Sequence, residues 1–186
     1  MRRIQRPKPG FTLVEVLVIL AILAILAGVL VPSIANQVTK SDVSRVGTDL
    51  GNIRTGIEAF LVDIKRYPGD IEDLISEIDA SDNDLLAADY PTGLLPKWSG
   101  PYLDIFLADD IALESGFGAN IQDNFVLDSI GGSGYLEIVI TPMTQADFLR
   151  VDASIDTDTS STDGRFIWAA GGVAGDTAKY LALPVN

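Results

Sequence analysis

Apolar residues fill the chain from Phe11 to Val31, FTLVEVLVILAILAILAGVLV, and Val16–Val31 holds no charged or strongly polar side chain. As an α-helix, 21 residues span about 32 Å, the thickness of a bilayer core, so this stretch predicts a membrane-spanning helix. From Ile34 the pattern changes. Ile34, Val38, Val43, Val46, Leu50, Ile53, Ile57, Phe60 and Ile64 recur at mostly three- and four-residue spacing with balanced charges between them, the signature of a helix with one buried face. Pro32 stands at the junction and removes one backbone hydrogen bond, so the helix either stops at Val31 or passes through Pro32 as a weakened turn; the period beyond it supports continuation. An end is expected at Tyr67-Pro68-Gly69, with Lys65 and Arg66 in the last turn, where basic residues suit the helix dipole. Further on, Ile71–Ile78 predicts a short amphipathic helix, Ser81–Trp98 mostly loop with some helix, and Asp110–Gly134 an irregular Gly- and Asp-rich region. Tyr135–Thr141, Leu149–Ile155, Phe166–Ala170 and Lys179–Leu183 predict strands. The fold class is therefore α+β: a long N-terminal helix packed on a C-terminal antiparallel sheet.

Charge divides the chain in three. Residues 1–10 carry Arg2, Arg3, Arg6 and Lys8 and no acid; residues 11–66 are neutral overall; residues 67–186 carry a net −17, within a formal −13 for all 186 residues. This gives four expected parts: a basic leader at 1–10, a membrane or core half-helix at 11–31, an amphipathic half-helix at 32–66, and an acidic globular head at 67–186. The basic tip keeps the N-terminus cytoplasmic and sends the head across the membrane. An acidic head argues against nucleic acid as a partner. The chain has no cysteine and no histidine, which removes disulfides, Ser-His-Asp and Cys-His catalysis, and zinc sites built on those side chains. No carboxylate pair stands out among the acids of the head, so no enzyme is expected and no catalytic residue is assigned.

Glu15 is the anomaly. A carboxylate near the end of a membrane helix costs about 1–3 kcal/mol unless it is paired, and no Lys or Arg lies between residues 11 and 39. Cleavage between Gly10 and Phe11 would create a cationic α-amine about one helical turn from Glu15, in the same chain or a neighbouring one. A plain signal peptide, cut after Ala35 at Ser33-Ile34-Ala35, is the alternative. Gly10-Phe11-Thr12-Leu13-Val14-Glu15 followed by an apolar run resembles the type IV prepilin signature, shared by type IV pilins and type II secretion pseudopilins. Lys65-Arg66-Tyr67-Pro68, Asp73-Leu74 and Trp98-Ser99-Gly100-Pro101-Tyr102-Leu103 resemble the major pseudopilins in particular. The resemblance implies a pilin-like fold, removal of the leader by a prepilin peptidase after Gly10, and N-methylation of Phe11. It also implies an inner-membrane assembly platform as partner, and assembly of identical or related subunits through Phe11, Glu15 and Pro32. The filament would stand in the periplasm or on the cell surface. A minor, adhesin-like pilin is the second reading, and a membrane-anchored extracytoplasmic enzyme a distant third.

Two loops invite chemistry. Gly131-Gly132-Ser133-Gly134 has no base beside it and no helix after it, and reads as a turn rather than a phosphate loop. Asp156, Asp158 and Asp163, followed by Gly164, alternate as oxygen ligands for Ca2+ do, without EF-hand spacing. The competing reading is a solvated acidic loop, and no other cofactor is expected.

Overall fold

The computed structural model describes residues 10–105, 112–157, 160, 162–172 and 175–185. The chain divides into two units, Met1–Lys40 and Ser41–Asn186. Helix α1, Leu13–Ile64, crosses that division and includes Pro32. Pro32 offers no N–H to the carbonyl of Gly28, yet the helix continues on both sides.

In the second unit α1 buries Val46, Leu50, Ile53, Ile57, Phe60 and Ile64, the face that the three-and-four spacing marks out. It ends at Ile64, two residues earlier than the basic pair suggests. Lys65 takes a left-handed conformation (φ 61°) and Arg66 leaves the helix to pair with Asp84 at 2.7 Å. The two bases therefore serve the turn into Tyr67-Pro68 and not the helix dipole. Helix α2 is a single turn, Glu72–Ile75, shorter than Ile71–Ile78. The Trp98–Leu103 segment packs on α1: Tyr102 lies edge-on to Phe60 with centroids 5.7 Å apart and donates its hydroxyl to Asp63 at 2.9 Å.

The sheet has six antiparallel strands: β1 (Ala112–Glu114), β2 (Asn120–Gln122), β3 (Val126–Ile130), β4 (Ser133–Thr141), β5 (Phe166–Gly172) and β6 (Gly175–Val185). Their order is β1-β2-β4-β6-β5, and β3 also pairs with β4. Leu136, Ile138 and Ile140 of β4 and Ala178, Tyr180 and Ala182 of β6 close the core over α1. The segment expected to be irregular thus supplies three strands. They are short, and pairing with β4 holds β2 and β3 where local pattern does not. Gly131 and Gly132, both at positive φ, form the two-residue β3–β4 turn. The β1–β2 corner lies so close to α1 that a Cβ on Gly116 would run into the Asp42 carbonyl. Arg45 donates to the Glu114 carbonyl at 2.7 Å there, and Ser115 to Asp49 at 2.6 Å.

Leu149–Ile155 is not a strand. It belongs to helix α3, Gln145–Ile155. Thr144 caps it, accepting from the Asp147 N–H at 3.2 Å, and Phe148, Val151 and Asp152 turn inward at helical spacing. Phe148 stacks on Phe166 at 5.0 Å, which seats α3 against β5.

Candidate functional site

The first unit presents an uncovered apolar surface. The N-terminal window of α1 has a mean hydropathy of 3.1 and none of it is buried, which makes α1 long and apolar enough to cross a membrane. Phe11 is 79% exposed and Leu13 80%. Such a surface in water forgoes about 1.5–3 kcal/mol for each large side chain left unburied, so lipid or protein has to cover it.

Thr12 and Glu15 open the helix as a reciprocal pair. The Glu15 N–H donates to the Thr12 hydroxyl at 3.2 Å, and the Thr12 N–H reaches the Glu15 carboxylate at 3.5 Å. This is a capping box, spelled Thr-x-x-Glu in the sequence but not recognised from the pattern of apolar residues. The carboxylate also sits at the positive end of the helix dipole. Glu15 thus has a local structural role beside any role between chains. Gly10 and Phe11 precede the helix and are exposed. Pro32 lies inside α1 and Gly28 one turn before it, with open space where a Gly28 side chain would stand.

The acidic loop is described in part. Asp158 lies outside the described residues. Asp156 spends one oxygen on the backbone: its carboxylate accepts from the N–H of Arg165 at 2.7 Å and of Phe166 at 2.8 Å, tying the end of α3 to the start of β5. Asp163 accepts from the Ser160 hydroxyl at 3.3 Å. Among the described residues no group of three metal-ligating side chains gathers; Asp156 and Asp163 are both described there, and Asp156 staples the loop to β5.

A second carboxylate cluster was not legible in the sequence. Asp73 is 4% exposed and accepts from the Gly69 N–H at 2.8 Å and the Tyr90 hydroxyl at 2.7 Å. Asp123 accepts from the Ile71 N–H at 3.1 Å, and Asp70 from the Asp73 N–H at 3.0 Å. Burial, with Asp70 beside it, pushes the Asp73 carboxyl up to about 7. Burial, again with Asp70, raises Asp123 to about 6. Burial raises Asp70 too, and burial and Asp73 raise the Tyr90 phenol. The cluster fastens the chain leaving α1 to the β2–β3 turn, with its carboxylates accepting from the backbone N–H groups of Gly69, Ile71 and Asp73.

The long helix with its exposed apolar N-terminal half, packed through its later turns on an antiparallel sheet, is an α+β arrangement consistent with a pilin-like fold. Residues 6–31 match the prokaryotic N-terminal methylation motif. The chain is 41% identical over 66 residues to a type IV major fimbrial protein, FimA, of Dichelobacter nodosus, covering 36% of this chain and 39% of that protein. It is 32% identical over 84 residues to a type II secretion system core protein G of Klebsiella pneumoniae, covering 45% of this chain and 60% of the relative. A core protein G of Escherichia coli strain K12 is 30% identical over 81 residues, 44% of this chain and 56% of that one. The chain spans about two-fifths of the length of the fimbrial relatives it matches. No solved structure gives a significant match.

Proposed function

We propose that this protein is a structural filament subunit, of the type II secretion pseudopilus or type IV pilus kind, and not an enzyme. It is made with the basic leader 1–10, inserted with its N-terminus in the cytoplasm and its head outside the inner membrane, and cut by a prepilin peptidase between Gly10 and Phe11. Phe11 is then N-methylated, and the subunit is passed by an assembly platform into a helical array of identical or related subunits. Phe11 and Glu15 set the contact between subunits, and Pro32 supplies the weak point at which α1 adjusts to its neighbours. The observation that carries this reading is the uncovered apolar half of α1, headed by one carboxylate directly behind Gly10-Phe11. The likenesses to secretion core proteins, over 84 residues, and to fimbrial proteins, over 66, both run well beyond the 26 of the methylation motif and support the two kinds alike.

The test is the mature N-terminus. Mass spectrometry of the chain from the cells that make it should find N-methylated Phe11 as the first residue. Gly10→Val should leave an uncut precursor about ten residues longer that forms no filament. A mature chain beginning after Ala35 would overturn the proposal.

A further inference from the structure

The head carries an acidic cleft on one flank of α1 and, on the other, a cleft whose charged lining residues are two arginines. Glu72, Glu77, Asp79 and Asp82 rim an acidic cleft of about 150 Å³, and the sequence has no Lys or Arg from Tyr67 to Pro96. The second cleft, of about 310 Å³, is lined by Arg54 and Arg165 together with Tyr135, Leu181 and Pro184. Arg54 pairs with Glu58 at 3.0 Å. Arg165 is exposed and has no ion pair among the described residues, in a head where acids outnumber bases several-fold.

Their placement follows from helix geometry. Gly56 abuts Leu74 and Leu103, and Asp63 accepts from the Ser99 hydroxyl at 2.6 Å and the Tyr102 hydroxyl at 2.9 Å. These two positions mark the side of α1 that carries the acidic segment. At 100° per residue, Arg54 lies about 160° round the axis from Gly56 and about 180° from Asp63. It lines a cleft with Leu181 and Ala182 of β6 instead.

We propose that the acidic cleft of one copy docks against the Arg54–Arg165 cleft of the next, as a contact between identical subunits. The inference rests on the filament reading above. Heads of net −17 repel one another, and a contact that matches opposite signs offsets this where the heads meet. Because the two patches are different surfaces on opposite flanks, the contact is heterologous, the kind that propagates into a ring or a helical filament instead of closing as a two-fold dimer. Exposed pairs of this kind contribute little affinity and mainly fix register, and salt screens them.

The experiment measures filament sheared from cells producing the full chain. Arg165→Glu should lower the yield about tenfold, and Glu72→Lys with Glu77→Lys should do the same, each equivalent to about 1.4 kcal/mol per contact. The chain with all three substitutions should return to near the wild-type yield. Thermal melts at the wild-type temperature check that each head is folded, since these side chains are exposed. A mere net-charge effect predicts the opposite sign for the lysine variant, which makes the head less acidic. A yield raised by the lysines, Arg165→Glu at wild-type yield, or a combined chain as poor as its parents would each overturn the contact. If the wild-type chain formed no filament, the function it rests on would fall first, and the contact with it.

Discussion

Glu15 has one partner in the structure and a second in the proposed assembly, and substitution separates them. The capping box with Thr12 is local; the amine that the proposed cleavage after Gly10 would create belongs to assembly. Glu15→Val should still be inserted and processed, because it only makes the apolar run more apolar, but filament yield should fall at least about tenfold. Thr12→Ala breaks the cap at a cost of about 1 kcal/mol and leaves the carboxylate, so it should assemble nearly as wild type. Equal defects in both variants, read from sheared filament, would show that Glu15 matters as a cap alone. Asp73 supports a prediction about pH. Its folded value of about 7 lies above the roughly 3.9 of an unfolded aspartate, so the folded head holds the proton more tightly. Stability from this group is complete below pH about 4 and is lost as pH rises through about 7; Asp123 adds the same slope up to about 6. Asp63, held below its usual range by hydrogen bonds from Ser99 and Tyr102, acts in reverse at lower pH. Melting of the full chain in detergent should therefore fall in temperature from pH 5 to 8. Asp73→Asn should flatten that slope and raise stability at pH 8 by on the order of 1–2 kcal/mol. An unchanged slope would mean that Asp73 stays ionised throughout.

At the scale of elements, what was legible depended on length and on whether the determining contacts were local. The long helix could be read because Val46, Leu50, Ile53, Ile57, Phe60 and Ile64 repeat the same period over many turns. Helix α3 could not, because Leu149, Val151, Ala153 and Ile155 alternate as a strand would, while Phe148 and Asp152 complete the helical face that is buried. Its start signal was in the sequence as Thr144-x-x-Asp147. Thr144→Ala should destabilise the head by about 1 kcal/mol, measured by denaturant unfolding; no change would mean that packing of Phe148 on Phe166 holds α3 without its cap. Strands β1 to β3 were hidden for another reason: three- to five-residue strands follow their partners more than their own pattern. The site divides in the same way. Glu15 stood out as a charge in an apolar run, whereas Asp70, Asp73 and Asp123 meet only because folding brings together residues some fifty positions apart.

For the whole molecule, charge and hydropathy are partitioned along the chain. The apolar residues of the first unit are exposed, while every residue of the hydrophobic core lies at Val46 or later. A chain of residues 36–186 should therefore be soluble and fold, with helix and sheet visible by circular dichroism and a cooperative melt. An unfolded fragment would show that the head depends on the segment removed. The uncovered half of α1 also bears on how such a subunit travels. Lipid tails are as apolar as the side chains of a packed helix bundle, so moving from one to the other carries little hydrophobic driving force in either direction. Water is the one surrounding that this helix cannot enter cheaply. A subunit that assembles as proposed would pass from bilayer to filament as between two miscible oils, without a dissolved intermediate. In a filament assembled as proposed above, growth would be confined to the base, where the membrane meets the filament, and a tip that lost a subunit would have no reservoir from which to replace it.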